Sequence, residues 1–593
     1  MLFPQENKFR ELKTLDGVWD FCLDEENNEE KEKWYMFERK KEQCIPIAVP
    51  ASFNDQVQDI KIRDYVGNSW YYNNFFAPAG WENKLVWIWF GAVHYRAKVW
   101  INGKFTCAHT GGSLPFWAEI SSFIKFGQEN TVSVLCNNEL TQEDIPPGVA
   151  QTSEIDGVRR LKHYFDFFNY SGIHRPVKLF TTSPSYIDDI TISTDIKGKS
   201  GIVEYSFDAK QKSSHVSFDV EMLDGRDKIV FRNENAGTEG IIQINNCRFW
   251  SPKSPCLYSV NVIVKENGKA VDQYIQKFGV RTVKIKGAQL LLNGKPVYLT
   301  GSAKHEDFYI IGRGMNLPVI VKDYSLLKWI NANSFRTSHY PYADEILEMA
   351  DRLGFLVIDE TPAVGMNEWD TDKEFNNFLY NNKMLDNHIK MLEELVRRDK
   401  NHPSVIMWSV ANEPKSWDKR AVPYFKKLSQ VIKKLDATRP STVVLNSEAE
   451  TERIIHFFDV LSVNKYHGWY NHCGNLGAET EKLLSDELDN FYKKYKLPII
   501  LTEFGVDTIE GHHSDPHMMF SEEYQVEFYK LYGKVLDSKK YVIGEHTWVF
   551  SDFMTKQEIR RVMGNRKGIF TRSRQPKMAA HFLKERWAKK RKD

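Results

Sequence analysis

Hydrophobic and polar positions follow two different patterns along this chain, and the change falls near Val283. Before it, apolar positions come in short β-branched and aromatic runs or alternate with polar ones. Leu85–Phe90 and Ala97–Ile101 are such runs, and Asn102-Gly103 after the second is a hairpin signal. Asn130–Cys136 reads as another strand, and no amphipathic helix is expected before residue 180. Residues 1–182 are therefore expected to form a β-sandwich of the jelly-roll type. From Pro184 the pattern alternates strictly, through Asp189–Ser193, Val203–Phe207, Val216–Val220 and Ser259–Val264. Short alternating strands at this spacing predict an immunoglobulin-like β-sandwich over 183–283.

After Val283, apolar runs alternate with helical periods. Strands are expected near Tyr298–Ala303, Asn333–Thr337, Phe355–Asp359, Val405–Ala411, Thr442–Leu445, Val460–Val463, Ile499–Thr502 and Val542–Trp548. Leu385–Arg398 and Tyr524–Leu536 are examples of the helices between them. Strands apolar on both faces belong to parallel sheets, and this alternation predicts a (β/α)₈ TIM barrel over 284–593.

Bulk properties narrow the function classes. At 593 residues the chain is too long for one core, so several domains are expected. A net charge of +1 offers no field to recruit nucleic acid or a membrane surface. The basic tail Lys584–Asp593 reads as a solvated terminus. The aromatic content of 13% suits sugar faces as well as sandwich cores. Seven scattered cysteines, with no C-x-x-C spacing, point to thiols in a reducing compartment rather than to a disulfide framework or a zinc site. The start shows no secretory pattern and no run reaches membrane-span length, so a cytoplasmic protein is expected. Neither H-E-x-x-H nor a clustered His/Cys set supports a metal hydrolase, and no cofactor is expected.

The chemistry gathers at strand ends. Glu413 closes Val405–Asn412, and Glu503 closes Ile499–Thr502. Carboxylates at the C-terminal ends of parallel strands sit where barrels place their chemistry, and two of them suit glycoside hydrolysis. Asn412 precedes Glu413. Arg336 and His339 follow the second strand, Asp359 and Glu360 end the third, Tyr466 and His467 follow the sixth, and Trp548 ends the eighth. In such a ring Trp548 reads as a sugar platform rather than core packing.

These residues carry a resemblance. Asn333–Pro341, continuing to Asp351 and Gly354–Ile358, resembles one signature of glycoside hydrolase family 2, and Asp399–Ser409 through Asn412-Glu413 resembles the other. The order of the three domains is similar too, over nearly the whole chain. The resemblance implies a retaining hydrolase with Glu413 as acid/base and Glu503 as nucleophile. The expected carboxyl separation is then about 5–5.5 Å. Glu413 would be raised by burial and the Glu503 carboxylate, and Arg336 would keep Glu503 ionised. Within the family the chain resembles the branch acting on β-D-glucuronides, on Thr502–Thr508, Tyr466–Tyr470 and Asn565–Gly568 with Ile569–Arg572.

A glucuronide carries a C6 carboxylate, which needs a cation and a donor in fixed geometry. Asn565 and Lys567, two apart and flanked by Gly564 and Gly568, can supply both on one side of an extended segment. Arg561 can add charge. Asp166 either caps a loop or, as the resemblance implies, reaches over the barrel mouth to sugar hydroxyls. The resemblance also implies a homotetramer acting on small glucuronide conjugates. The strand-three loop between Met366 and Asn387 is shorter than in well-known bacterial members. A β-galactosidase or β-mannosidase of the same family would keep both glutamates without needing Asn565 and Lys567. A non-catalytic carbohydrate-binding protein would need neither glutamate.

Overall fold

The computed structural model describes residues 2–25, 32–36, 44–212, 215–367 and 373–590. The first part is a two-sheet antiparallel sandwich. Leu85–Phe90 pairs with Val177–Thr182, and Gln128–Asn137 lies between Asn68–Ala77 and Arg96–Ile101. Phe21, Val86, Ile88, Val99 and Val134 fill the space between the sheets. Asn102 and Gly103 both take positive φ, 51° and 74°, and turn the predicted hairpin. The helices bounded within the described residues before residue 180 are short, at Ile60–Arg63 and Ala79–Trp81. A second sandwich follows, from Tyr186–Lys197 to Lys269–Phe278, with three strands facing four.

The remainder is a closed parallel barrel. Its strands are β1 (Leu299–Ala303), β2 (Ser334–Arg336), β3 (Leu356–Glu360), β4 (Val405–Asn412), β5 (Ser441–Leu445), β6 (Val460–Asn464), β7 (Ile499–Glu503) and β8 (Val542–Thr547). Each expected strand matches one of these within one or two residues. A small antiparallel sheet, Val283–Lys286 with Gln289–Leu292 and Lys295–Pro296, closes the N-terminal end of the barrel. Its Val283, Leu290 and Leu292 join Leu299, Leu356, Ile406, Val460 and Ile500 in one apolar plug. The opposite, C-terminal rim is thereby left for polar groups. Helices fill most crossovers, including Asn382–Asp399 and Glu522–Asp537. Between β5 and β6 a 3₁₀ turn stands instead, its preceding N–H groups of Ile454 and Ile455 taken by the Glu452 carboxylate at 2.6 and 3.0 Å.

Both sandwiches dock on the barrel. Arg175 donates to the Pro341 carbonyl at 2.6 Å, and the Phe168 N–H to Met554 O at 2.9 Å. The Asn401 side chain bonds the backbone of Ile190 and Ile192. The basic tail departs from the expected solvated end. It is helical over Met578–Lys590, with Trp587 buried and donating to Glu545 at 2.6 Å. An aromatic and an acidic partner inside the fold outweigh the net basic composition; Arg591–Asp593 lie outside the described residues. The segment between Met366 and Asn387, expected to be shortened, lies outside the described residues over 368–372. No described helix is long and apolar enough to cross a membrane.

Candidate active site

Strand direction puts the last residues of β2, β3, β4, β6 and β7 on one rim. Glu503 is the final residue of β7 and is 4% exposed. Its Oε2 accepts from the Tyr466 hydroxyl at 2.7 Å, and its Oε1 accepts from Nη2 of Arg336, which ends β2. Nη1 of Arg336 turns to the last residue of β3, Glu360, at 2.7 and 2.8 Å to its two oxygens. Glu360 also binds His339 Nδ1 at 2.9 Å and the Ser409 hydroxyl at 2.7 Å. Asp359, one residue earlier, takes the opposite side of the pleat and bonds Thr337.

Glu413 follows β4 with φ 48°, a left-handed residue that turns the chain out of the strand. It is 5% exposed. Its Oε1 accepts from Asn464 at 2.7 Å and its Oε2 from Asn446 at 3.3 Å. Asn464 ends β6, pairs in register with Glu503, and also bonds Asn412 at 3.2 Å and Thr502 at 2.9 Å. One buried amide therefore joins the ends of β4, β6 and β7.

The electrostatics follow from this sharing. Burial pushes the Glu503 carboxyl up to about 8, with Arg336 pulling down, the Glu413 charge pushing up, and the Tyr466 hydrogen bond pulling down. Glu413 is also raised, by burial, against the bonds from Asn464 and Asn446 and the charges of Arg336 and Lys465. Burial raises Glu360 too, but Arg336, His339 and Ser409 hold it below its ordinary value. Arg336 was expected to keep Glu503 ionised; it pulls in that direction, but it is shared with Glu360 and burial outweighs it. Both carboxyls are thus raised in the free site, Glu503 to about 8 and Glu413 above its ordinary range.

A second cluster adjoins the first. Asp166, on the first sandwich, accepts from Arg561 and Asn565, each at 2.8 Å. Lys567 is fully buried; its Nζ donates to Asp507 and lies 4.9 Å from the Tyr470 ring centre. Arg561 donates to the Tyr470 hydroxyl at 2.8 Å. Asn565 Oδ1 accepts the Lys567 N–H at 3.0 Å and so fixes the spacing of the two residues. The flanking Gly564 has φ 93°, and a Cβ there would fall 2.4 Å from the Phe553 carbonyl. The clusters meet where the Tyr466 and Tyr470 rings stand 5.2 Å apart. His339 stacks on Trp548 at 5.0 Å and approaches Phe167 at 6.4 Å.

Twelve of the residues singled out from the sequence, and Glu360 with them, thus fall in these two adjoining clusters; Asp359 turns away to Thr337, and His467 bonds Glu487 instead. Two others belong with them. Asn464 is a polar strand end, a signal already present in the sequence. Asp507 stands in a loop, and only the fold reveals it beneath Lys567.

Comparison with known proteins gives three consecutive family matches along the chain. Residues 12–183 match the model "Glycosyl hydrolases family 2, sugar binding domain", 185–281 match "Glycosyl hydrolases family 2", and 283–591 match "Glycosyl hydrolases family 2, TIM barrel domain". A β-glucuronidase of Paenibacillus borealis is 44% identical, over 99% of this chain and 98% of its own length. One from Felis catus is 43% identical, over 99% and 92%. The solved β-D-glucuronidase of Dictyoglomus thermophilum is 44% identical with TM-score 0.93, covering 99% of both chains. That of Ruminococcus gnavus in complex with D-glucaro 1,5-lactone is 40% identical with TM-score 0.94, again over 99% of both. With consecutive family models covering the chain and full-length relatives above 40% identity, the chain belongs to glycoside hydrolase family 2.

Proposed function

We propose that the chain is a retaining, exo-acting β-glucuronidase that releases glucuronic acid from small conjugates by double displacement. The observation that carries this is the adjacency of two buried carboxyls, Glu413 and Glu503, to a wall of buried Asn565 and Lys567 with the half-buried Arg561. The donors support the division of labour. Glu503 accepts a charge-assisted bond from Arg336, which favours its ionised form, whereas Glu413 accepts only from amides. In this reading the proton of the reacting complex rests on Glu413.

Glu413 protonates the leaving oxygen while Glu503 attacks the anomeric carbon. Glu413, now ionised, then removes a proton from the water that displaces Glu503. Lys567 and Asn565 hold the C6 carboxylate, and Asp507 keeps Lys567 in place. Asp166, His339, Tyr466, Tyr470, Trp548 and Asn412 complete the sugar pocket. No metal or cofactor enters these steps. The division at 182/183 and 283/284 belongs to this reading, supported by the separate sheets on either side. So do a cytoplasmic location, supported by the scattered cysteines, and a homotetramer, supported by family resemblance alone.

The test is kcat/KM on matched aryl β-D-glycosides. The glucuronide should exceed the galactoside by at least 10³-fold, since a neutral sugar forgoes the charge-assisted bonds that a C6 carboxylate makes to Lys567 and Asn565, a loss of roughly 4 kcal/mol. Comparable rates on both would favour a galactosidase, and no turnover on any glycoside would favour a binding protein.

A further inference from the structure

At the closed end of the barrel, opposite the glutamates, the second sandwich and the barrel bound a crevice of about 330 Å³. One side is the approach to β4, at Lys400, Asn401 and Pro403, with the turn before β5 at Ala437–Arg439. The other is sandwich backbone around 192–204 and 278–284.

Arg281 lines this crevice and is 5% exposed. Its Nε donates to Pro403 O at 2.9 Å and its Nη2 to Val405 O at 2.8 Å. Nη1 has no hydrogen-bond partner among the described residues, and Arg281 forms no ion pair among them. Arg439 donates to the same Val405 carbonyl at 2.7 Å, so two guanidinium groups converge on one oxygen. Arg439 has Asp436 at 2.6 Å, and Lys400 has Asp189 at 2.6 Å. Lys284, exposed at the edge, makes no ion pair among the described residues either. Asp195 and Glu204 also line the crevice, but both are exposed to water.

A buried cation without a counterion is costly. Burial, with the Arg439 charge, pushes Arg281 down to about 9 against the pull of the Asp436 and Asp351 carboxylates. A purely structural role, tying the sandwich to the barrel floor, accounts for Nε and Nη2. It leaves Nη1 without a hydrogen-bond partner among the described residues and the charge offset only from a distance, by Asp436 and Asp351.

We propose that this crevice binds a small oxyanion of the phosphate class, with Nη1 of Arg281 as its inner donor and Lys284 as the charge at its mouth. The guanidinium edge suits tetrahedral oxyanions, and the volume admits a phosphate ester as well as the free ion.

Calorimetric titration of the full chain with inorganic phosphate, at constant ionic strength, tests this. One saturable site is expected below about 10 mM. Arg281→Gln, which keeps a donor for the carbonyls, should weaken it at least ten-fold, as loss of a charge-assisted bond does. If that variant fails to fold, Lys284→Glu serves. It reverses an exposed charge, should weaken phosphate about ten-fold, and should leave aryl glucuronide turnover unchanged. Absence of a saturable site overturns the proposal. So does equal affinity in the variants, or displacement of phosphate by D-glucuronate, which would put the ion in the sugar pocket.

Discussion

Glu413 and Glu503 differ less in burial than in what touches them. Two consequences follow. Glu413→Ala should slow hydrolysis of substrates with poor leaving groups far more than of activated aryl glucuronides. Added azide should then restore turnover by attacking the glycosyl-enzyme directly. The product should be the β-azide by NMR; an α-azide, or no azide effect, would contradict the assignment. The second consequence concerns pH. Both carboxyls are raised, so at low pH both are protonated and the nucleophile is absent. Activity rises as the pair loses its first proton and falls as it loses its last. The alkaline limb of kcat/KM should lie above the ordinary carboxylate range. A plateau extending well beyond pH 9 would mean that the pair does not hold the working proton.

Strand placement was legible because parallel barrel strands are apolar on both faces and end abruptly in polar residues. The same signal found Glu413, Glu503 and Arg336. It also carried Glu360 and Asn464, but which polar strand end meets which is set by barrel closure, and adjacent positions can face opposite ways, as Asp359 and Glu360 do. Asp507 lay within a recognised segment, yet its role depends on a loop more than 50 residues later folding over it. That loop depends on Gly564, whose left-handed backbone sits against the Phe553 carbonyl. Gly564→Ala forces either strain or a shift of Asn565, whose backbone pairs with Phe553. Glucuronide kcat/KM should fall about ten-fold or more, with melting lowered by only a few degrees. Unchanged kinetics would free the loop from any part in recognition.

Across the whole molecule, the selectivity proposed here is assembled from two domains. The first sandwich sends Asp166 to Arg561 and Asn565, while the barrel loop supplies Lys567 over Asp507. Composition could not show this, because a net charge of +1 averages away one buried cationic wall. The basic tail misled for the same reason: its Arg586 and Trp587 are committed to Glu545 inside the fold. The most direct measurement is the ratio of kcat/KM for an aryl glucuronide over the matching aryl glucoside, in the natural chain and in Lys567→Ala. Losing the cation leaves the substrate carboxylate partly desolvated and unpaired, a penalty of about 2–5 kcal/mol, whereas a glucoside has no such charge. The ratio should therefore fall by roughly 30-fold to several thousand-fold, almost entirely through the glucuronide. An equal loss on both substrates would make Lys567 a structural residue and place the recognition of the C6 carboxylate elsewhere.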